Sequence, residues 1–543
     1  MSMMATELNS WMLFGHAARH FGDTEVVTQL DGGKRHRYTY AQFSARSQQL
    51  MHALDHLGLD HRAPVATLGW NSYRHLECYF GIPCSGRILH TLNPRLPLGD
   101  LEFIIQDAGD QVILVEPELL PLLERIPAAL ARVQHLIALA DRTPDSALPQ
   151  HLVAYEDLIA GEPTSYPAPS IPESSDLGIC YTSGTSGRPK GVVYTHRSTV
   201  LHALVTTSGA GTGLGPGDCT LPIVPMYHVN AWGAPFGATM IGAKQVFTSR
   251  HVDAATIVDL IQEEQVTHSS GVPTIWIAVA DELSRRGARL PSVRFLSSGG
   301  SRTPRSLIER YRAEFGINLV QGWGMTETSP VASLTQPKHK MRDWDESRLM
   351  GEVREQAGLP LPGIDIRIVD PAGEEVPADG ESMGELMVRG PWVAASYLGG
   401  QAREQFTADG WFRTGDVAVA TAEGYFAVVD RIKDLVKSGG EWISSADMES
   451  RLMGMEGVAE AAIIAVPDPK WGERPLAVIA PRAGAEIRLE DVRRFLAEAG
   501  WASWQLPDRL EIVADLPKTS VGKFDKKVLR QRFASAAPLA GPD

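Results

Sequence analysis

The chain has 543 residues, several times the usual domain length, so two or more folding units and a large core are expected. With 43% hydrophobic and 21% charged residues it has the composition of an ordinary globular protein. A net charge of -14 argues against general nucleic-acid binding and against docking on an anionic membrane. Cys78, Cys84, Cys180 and Cys219 show no zinc-type spacing and are too few for a disulfide scaffold, so each is expected to be buried as a small hydrophobe. The N-terminus lacks a basic region leading into an apolar core, and no run approaches the roughly 18–20 apolar residues of a membrane span. A cytoplasmic location is the expectation.

In chain order, Thr39-Tyr40-Ala41-Gln42 has the spacing of a capping box, and Phe43, Leu50, Leu54 and Leu57 then recur at helical intervals. Pro64–Trp70 reads as a buried strand, Tyr73–Ser85 as a helix and Arg87–Leu92 as a strand. A helical pattern over Leu101–Asp107 leads into the strand Gln111–Glu116. Such alternation predicts a parallel sheet with helices on both faces. Arg142–Pro172, with several Pro, Asp and Ser, reads as a surface excursion.

The next stretch, Cys180–His196, places only Gly, Ser and Thr from Thr182 to Gly187 and a cation on each side of Pro189. Small residues bring backbone N–H groups close to a ligand, hydroxyls add donors, and Arg188 and Lys190 add charge, which suits a polyphosphate. Leu177–Tyr181 and Gly191–His196 read as flanking strands. A Walker A loop ends in Gly-Lys-Ser/Thr and enters a helix, whereas Lys190 precedes Gly191 and a strand-like run, so that reading fails.

A helical pattern near Ser198–Ser208 and a strand-like Thr220–Pro225 follow, and the alternation continues through Ile257–Gln265, Pro273–Glu282, Val293–Ser297 and Pro304–Phe315. Around Leu359–Gly400 short apolar runs (Ile364–Val369, Gly384–Arg389, and later Tyr425–Val429) predict a strand-rich subdomain. From about Asp434 the pattern becomes a small α+β unit, with helices at Ala446–Met453 and Leu489–Ala499 and strands at Glu460–Val466 and Pro475–Ala480. Residues from Ala534 onward are mostly small and are expected to be disordered.

Seven further segments follow the Gly/Ser/Thr loop in order: PMYHVNAWG from Pro225, SSGG from Ser297, QGWGMTE from Gln321, GWFRTGD from Gly410, DRIKD from Asp430, SGGE from Ser438 and PKTSVGK from Pro517. Together they resemble the adenylate-forming superfamily of acyl-CoA synthetases, luciferases and peptide-synthetase adenylation domains, over nearly the whole chain. PMYHVNAWG and KSGGEWISS look most like medium-chain fatty-acyl-CoA synthetases and methylthiopropionate–CoA ligases. The resemblance implies a large N-terminal domain (1–432) of two doubly wound α/β subdomains plus a strand-rich one. A small mobile α+β lid (434–543) would follow, with a hinge at Lys433. It also implies two steps: a carboxylate attacks the ATP α-phosphate, then the thiol of CoA displaces AMP.

By resemblance, the loop Thr182, Ser183, Gly184, Thr185, Ser186, Gly187 with Lys190 would wrap the β- and γ-phosphates, and Glu327 with Thr185 would hold Mg²⁺. Trp323 would stack on adenine, with Ser298, Gly299, Gly300 and Ser301 lining its slot beside Gly322, Gly324, Met325 and Thr326. Asp416 would accept the ribose hydroxyls, with Arg431 nearby. Lys523 would bridge the α-phosphate and carboxylate during adenylation. Gly439, Gly440, Glu441 and Trp442 would meet CoA when the lid swings about Lys433.

His228 and Trp232 would border the acyl site opposite Gly299 and Gly300, sharing a face if their segment is helical. Val272, Pro273 and Trp276 are further wall candidates. Trp232 would either floor the pocket or gate a longer tunnel. The run Met226–Trp232 carries no Asp for an α-amine, and no charged anchor for a polar tail is evident. The expectation is therefore a short- to medium-chain fatty acid or 3-methylthiopropionate. Long-chain or aryl acids, and loading of a carrier protein, are the alternatives. Homodimers are common among such relatives and are an expectation here.

Overall fold

The computed structural model describes residues 3–148, 150–182, 188–439, 441–518 and 524–533. Thr185 and Lys523, together with Ser183, Gly184, Ser186, Gly187, Gly440 and the tail from Ala534, lie outside the described residues.

Two large sheets lie side by side. The first has seven strands in the order Leu152–Ala154, His135–Ala138, Val112–Val115, Pro64–Leu68, Ile88–Thr91, Asp176–Tyr181 and Gly191–Thr195. All pairs are parallel except the last, which carries the Gly/Ser/Thr loop between antiparallel strands. The exit from that loop is a strand, as its β-branched sequence predicts, and not the helix of a Walker A loop. The segment read as a surface excursion in fact supplies the edge strand Leu152–Ala154 and a short helix, Tyr155–Ile159. Tyr155 is fully buried and donates its hydroxyl to Glu77 at 2.7 Å. A three-residue strand between His151 and Tyr155 is too short to show a period.

The second sheet runs Leu359–Pro360, Val331–Leu334, Leu319–Gly324, Phe295–Ser298, His268–Gly271, Cys219–Pro222, Lys244–Phe247, Glu25–Gln29 and Arg35–Thr39. Its centre is parallel, and its order reverses between Cys219–Pro222 and His268–Gly271. Such a switch point opens a crevice at the carboxyl ends of the strands, the usual ligand position in open α/β sheets. The N-terminal hairpin Glu25–Thr39 joins this sheet by pairing with Lys244–Phe247, far along the chain. Thr39 caps the helix Tyr40–His56 with the capping box its sequence predicts.

A four-stranded antiparallel sheet (Asp365–Val369, Gly384–Arg389, Phe412–Ala420, Phe426–Arg431) forms the strand-rich unit. A five-stranded sheet, with the helices Ser445–Leu452, Leu489–Glu498 and Lys526–Phe533, forms the small α+β unit around its own core. The last strand of the former ends at Arg431 and the first of the latter begins at Val436. All four cysteines are buried and free. Among the described residues no helix is long and apolar enough to cross a membrane.

Candidate active site

A cavity of about 260 Å³ opens between the two large sheets and the strand-rich unit. At one end it is lined by Thr182, Arg188, Lys190, Glu327, Tyr397, Gln405, Thr414 and Arg431, where the Lys, Arg and Glu side chains of its described lining gather. The base of the Gly/Ser/Thr loop is tied here. The Thr182 N–H donates to the Lys190 carbonyl at 3.0 Å, and the Lys190 N–H donates to Thr182 Oγ1 at 3.1 Å. Lys190 Nζ donates to Gln405 at 2.9 Å and lies 4.9 Å from the Tyr397 ring centroid.

Glu327 sits on the short 3₁₀ turn Thr326–Thr328 that follows the strand Leu319–Gly324. Tyr194 fixes this turn by donating to the Thr326 carbonyl at 2.7 Å, and the Ala394 N–H donates to the Glu327 carbonyl at 2.7 Å. The Glu327 carboxylate is buried and accepts the Tyr397 hydroxyl. Burial raises its pKa, while the Tyr397 hydrogen bond and the charges of Arg431 and Lys190 oppose the rise. Among the described residues no cation lies within ion-pair distance of it. A buried carboxylate with no ion-pair partner among the described residues fits a metal that is bound through one carboxylate plus substrate phosphates. No group of three or more His, Cys, Asp or Glu residues among those described could cage a metal by itself.

Ser298, Gly299, Gly300, Gly322, Trp323, Gly324, Met325 and Thr326 form the middle of the cavity wall, while Ser301 is exposed outside it. Gly324 is required for close approach, since a Cβ there would stand 1.9 Å from the Pro330 carbonyl oxygen. Trp323 Nε1 donates to Asp416 Oδ2 at 3.0 Å, and Arg431 Nε pairs with Asp416 Oδ1 at 2.7 Å. Asp416 and Arg431 face each other in the strand register, so the pair is built into the sheet. Asp416 is buried behind these two and does not itself line the cavity. A carboxylate has about four lone-pair sites, so two remain for hydroxyl donors.

His228 and Trp232 also line the cavity, but not on one face of a right-handed helix. Val229, Asn230, Ala231, Trp232 and Gly233 all have positive φ, from 44° to 77°, and form a left-handed turn. For residues with a Cβ this costs roughly 1–2 kcal/mol each, and Val229 is the least tolerant because it is β-branched. Contacts from the residues that follow the strand Pro64–Leu68 hold the strained segment. Asn71 accepts the Met226 N–H at 2.7 Å and donates to Val224 and Pro222, and Tyr79 donates to the Met226 carbonyl. Asn230 accepts from Cys180 Sγ at 3.3 Å.

The turn lays the Trp232 indole against Gly299, where an added Cβ would be 2.9 Å from its ring. Trp232 does not floor the pocket, because the lining continues past it to Thr206, Thr220 and His268. Val272 lines the cavity, but Pro273 and Trp276 do not. Trp276 is a core residue whose Nε1 donates to the Ser297 carbonyl at 2.9 Å.

The small unit contributes nothing to this cavity among the described residues. Gly439, Glu441 and Trp442 lie on the hairpin Val436–Ile443, with Trp442 exposed and Gly439 packed against Trp471. Asp430 ties the junction, accepting the Ser445 N–H at 2.7 Å while its other oxygen accepts the Arg431 N–H at 2.8 Å. Arg530 pairs with Asp434 at 2.8 Å on the other side of Lys433. Tyr397 and Gln405 were not foreseen from sequence, since they stand in short turns between the motifs.

A family model described as AMP-binding enzyme matches residues 14–398, and one described as AMP-binding enzyme C-terminal domain matches residues 447–523. A long-chain-fatty-acid–CoA ligase of Thermus thermophilus is 45% identical over 98% of this chain and 97% of its own. A 3-methylmercaptopropionyl-CoA ligase of Ruegeria lacuscaerulensis is 39% identical (98% and 99%), and a medium-chain-fatty-acid–CoA ligase of Ectopseudomonas oleovorans is 37% identical (98% and 97%). ATP-bound MatB from Rhodopseudomonas palustris superposes with a TM-score of 0.82 at 26% identity, covering 97% of this chain and 99% of that one. These matches show that the chain belongs to the AMP-binding enzyme family of adenylate-forming enzymes.

Proposed function

We propose that this protein is an AMP-forming acid–thiol ligase that joins an aliphatic carboxylic acid to CoA through an acyl-adenylate. The observation that carries the choice of acid is the distribution of charge along the cavity. Arg188, Lys190, Glu327 and Arg431 cluster at the nucleotide end, and past His228 the lining holds no Lys, Arg, Asp or Glu among the described residues. An uncharged tail fits that half, because a charged one would be desolvated without a partner. The relatives' names span long-chain, medium-chain and methylmercaptopropionyl acids, so the names leave chain length open.

Attack of a carboxylate on a polyanion is opposed by repulsion, and preorganised cations and donors offset it. Lys190 and the backbone of the Thr182–Lys190 loop would hold the β- and γ-phosphates. Glu327, with Thr185, would hold Mg²⁺, which neutralises phosphate charge when bound. Asp416 would take the ribose hydroxyls while Trp323 meets the adenine. The acid's oxygen bonds to the α-phosphorus as the bond to the bridging oxygen breaks, and diphosphate leaves. Lys523 would bridge the two reacting groups. The CoA sulfur then bonds to the acyl carbon, AMP leaves, and Gly439, Gly440, Glu441 and Trp442 would guide the thiol arm after the lid swings about Lys433.

Diphosphate release with ATP, Mg²⁺ and acids from propionate to palmitate, including 3-methylthiopropionate and cinnamate, tests the first step. Thioester formation on adding CoA, but not a pantetheine-loaded carrier protein, tests the second. Diphosphate release that yields thioester only on the carrier would replace this reading with carrier loading.

A further inference from the structure

Beyond Trp232 the cavity follows one face of the second sheet. Its floor is made of alternate residues on three adjacent strands, as the two-residue period of a strand requires: Thr220, then His268, Ser270 and Val272, then Phe295, Ser297 and Gly299. The register sets these in rows. Thr220, His268 and Phe295 are partners in one row, and Ser270 and Ser297 are partners in the next. Gly299 and Val272, two residues further on, form the row nearest the nucleotide. The opposite wall is the helices His196–Thr207 and Ala234–Ile241, which present Thr206, Thr207, Ala234, Gly237 and Ala238.

The far row is closed. The His268 and Phe295 rings stack 5.7 Å apart, and His268 Nε2 lies 3.2 Å from the Thr212 carbonyl oxygen. Thr212 and Leu214 belong to a glycine-rich connection, 208–218, that crosses this end. The Thr212 N–H donates to the Thr206 carbonyl at 2.7 Å, so this connection is tied to the opposite wall as well. The polar side chains of the floor pair among themselves. Ser297 donates to Ser270 at 2.7 Å, and His268 Nδ1 is 2.8 Å from Thr267 Oγ1. Burial holds His268 below its usual pKa, hence neutral. An aliphatic tail lying on this face would leave the Ser297–Ser270 and His268 hydrogen bonds in place.

We infer that this strip is a chain-length ruler, with the carboxyl group at Gly299 and the His268–Thr212 latch as its end-stop, so that the preferred substrates are unbranched medium-chain acids. The inference rests on the acyl-CoA ligase reading above. Four residues of strand from the far row to Gly299 span about 13 Å. An extended chain of single bonds advances about 1.2 Å per bond, as in an extended polypeptide, so the strip accepts roughly ten carbons.

The test is kcat/KM for diphosphate release with the wild-type protein on saturated acids from butanoate to hexadecanoate, then with Ser270→Leu and Ala238→Phe, which fill the middle of the strip from opposite walls. The wild type is expected to peak near decanoate. Each variant is expected to lower the decanoate-to-butanoate ratio at least tenfold, and His268→Ala to raise the hexadecanoate-to-decanoate ratio at least fivefold. A wild-type optimum at butanoate or at hexadecanoate overturns the ruler, as do ratios unchanged in both filling variants. Should one filling variant be inactive on every acid, the other and the wild-type profile decide. No diphosphate release with any acid would instead remove the ligase reading.

Discussion

The Tyr397 hydroxyl donates to the buried carboxylate of Glu327, and the same ring carries Lys190 Nζ on its face, 4.9 Å from the centroid. One side chain thus connects the loop cation to the acid proposed to hold the metal. The hydrogen bond is a counterweight, because burial raises the Glu327 pKa and Tyr397 pulls it down.

Tyr397→Phe keeps the ring under Lys190 and removes only the donor. With burial less opposed, Glu327 protonates at higher pH, so the acid limb of kcat/KM for ATP should move upward in pH. A hydrogen bond to a charged group is worth about 1.5–3 kcal/mol, so a loss of roughly tenfold or more is expected near pH 7. A pH profile that does not move, with activity within twofold of wild type, would make Tyr397 merely a packing residue.

His202 supports the left-handed turn. An added Cβ on Gly233 would stand 2.7 Å from its ring, and the Val331 N–H donates to its Nε2 at 3.1 Å. Burial depresses its pKa from 6.5 to about 3. A depressed pKa gives stability that is present above the unfolded value and is lost as pH falls through it toward the folded one. Between pH 7 and pH 5 this single histidine should cost about 2 kcal/mol. His202→Gln keeps an acceptor for Val331 and cannot gain the proton, so its loss of stability over that interval should be smaller than wild type by about that amount. Denaturant midpoints at the two pH values measure it, and parallel changes in both proteins would refute the assignment.

How much of this was legible in sequence depends on whether the signal is local. The strands around the loop are runs of β-branched and aromatic residues, and the capping box at Thr39 lies within four residues, so both could be read directly. The hairpin Glu25–Thr39 could not, because its partner strand begins at Lys244 and its own alternation is broken by Gly32, Gly33 and charged residues. Helical spacing suggested a shared face for His228 and Trp232. The left-handed turn that replaces it is imposed by Asn71, Tyr79 and His202, which no spacing in that segment encodes. Asp416 was identifiable from its motif, but its ties to Trp323 and Arg431 needed the sheet register.

Lys523 lies outside the described residues, but the structure constrains the alternatives. Lys518 pairs with Glu460, and Lys526 is held by Glu449 at 2.8 Å. The Asp525 N–H donates to the Pro517 carbonyl at 2.8 Å and so closes the base of the segment. Two of the nearby lysines are therefore committed to acids of the small unit. Lys523→Ala should reduce diphosphate release at least a hundredfold, since it removes a cation from developing charge. Thioester formation from supplied acyl-adenylate should stay within about threefold by the same argument, because that charge arises only in the first step. Equal loss of both half-reactions would contradict the role.

Lys433 stands between two anchors, Asp430 on the small unit's helix Ser445–Leu452 and Asp434 on Arg530 of the last helix. If the lid turns there, the backbone at 433 must change φ between two poses while these anchors exchange partners. Proline fixes φ near −65° and suits at most one of them. Lys433→Pro should therefore leave acid-dependent ATP–diphosphate exchange within about threefold and slow CoA thioester formation by tenfold or more. A Lys433→Ala control, which removes the charge and keeps the backbone free, should retain both steps better than Lys433→Pro. Exchange falling as far as thioester formation in the proline variant, with the alanine variant equally impaired, would place the effect on the side chain and remove the hinge from Lys433.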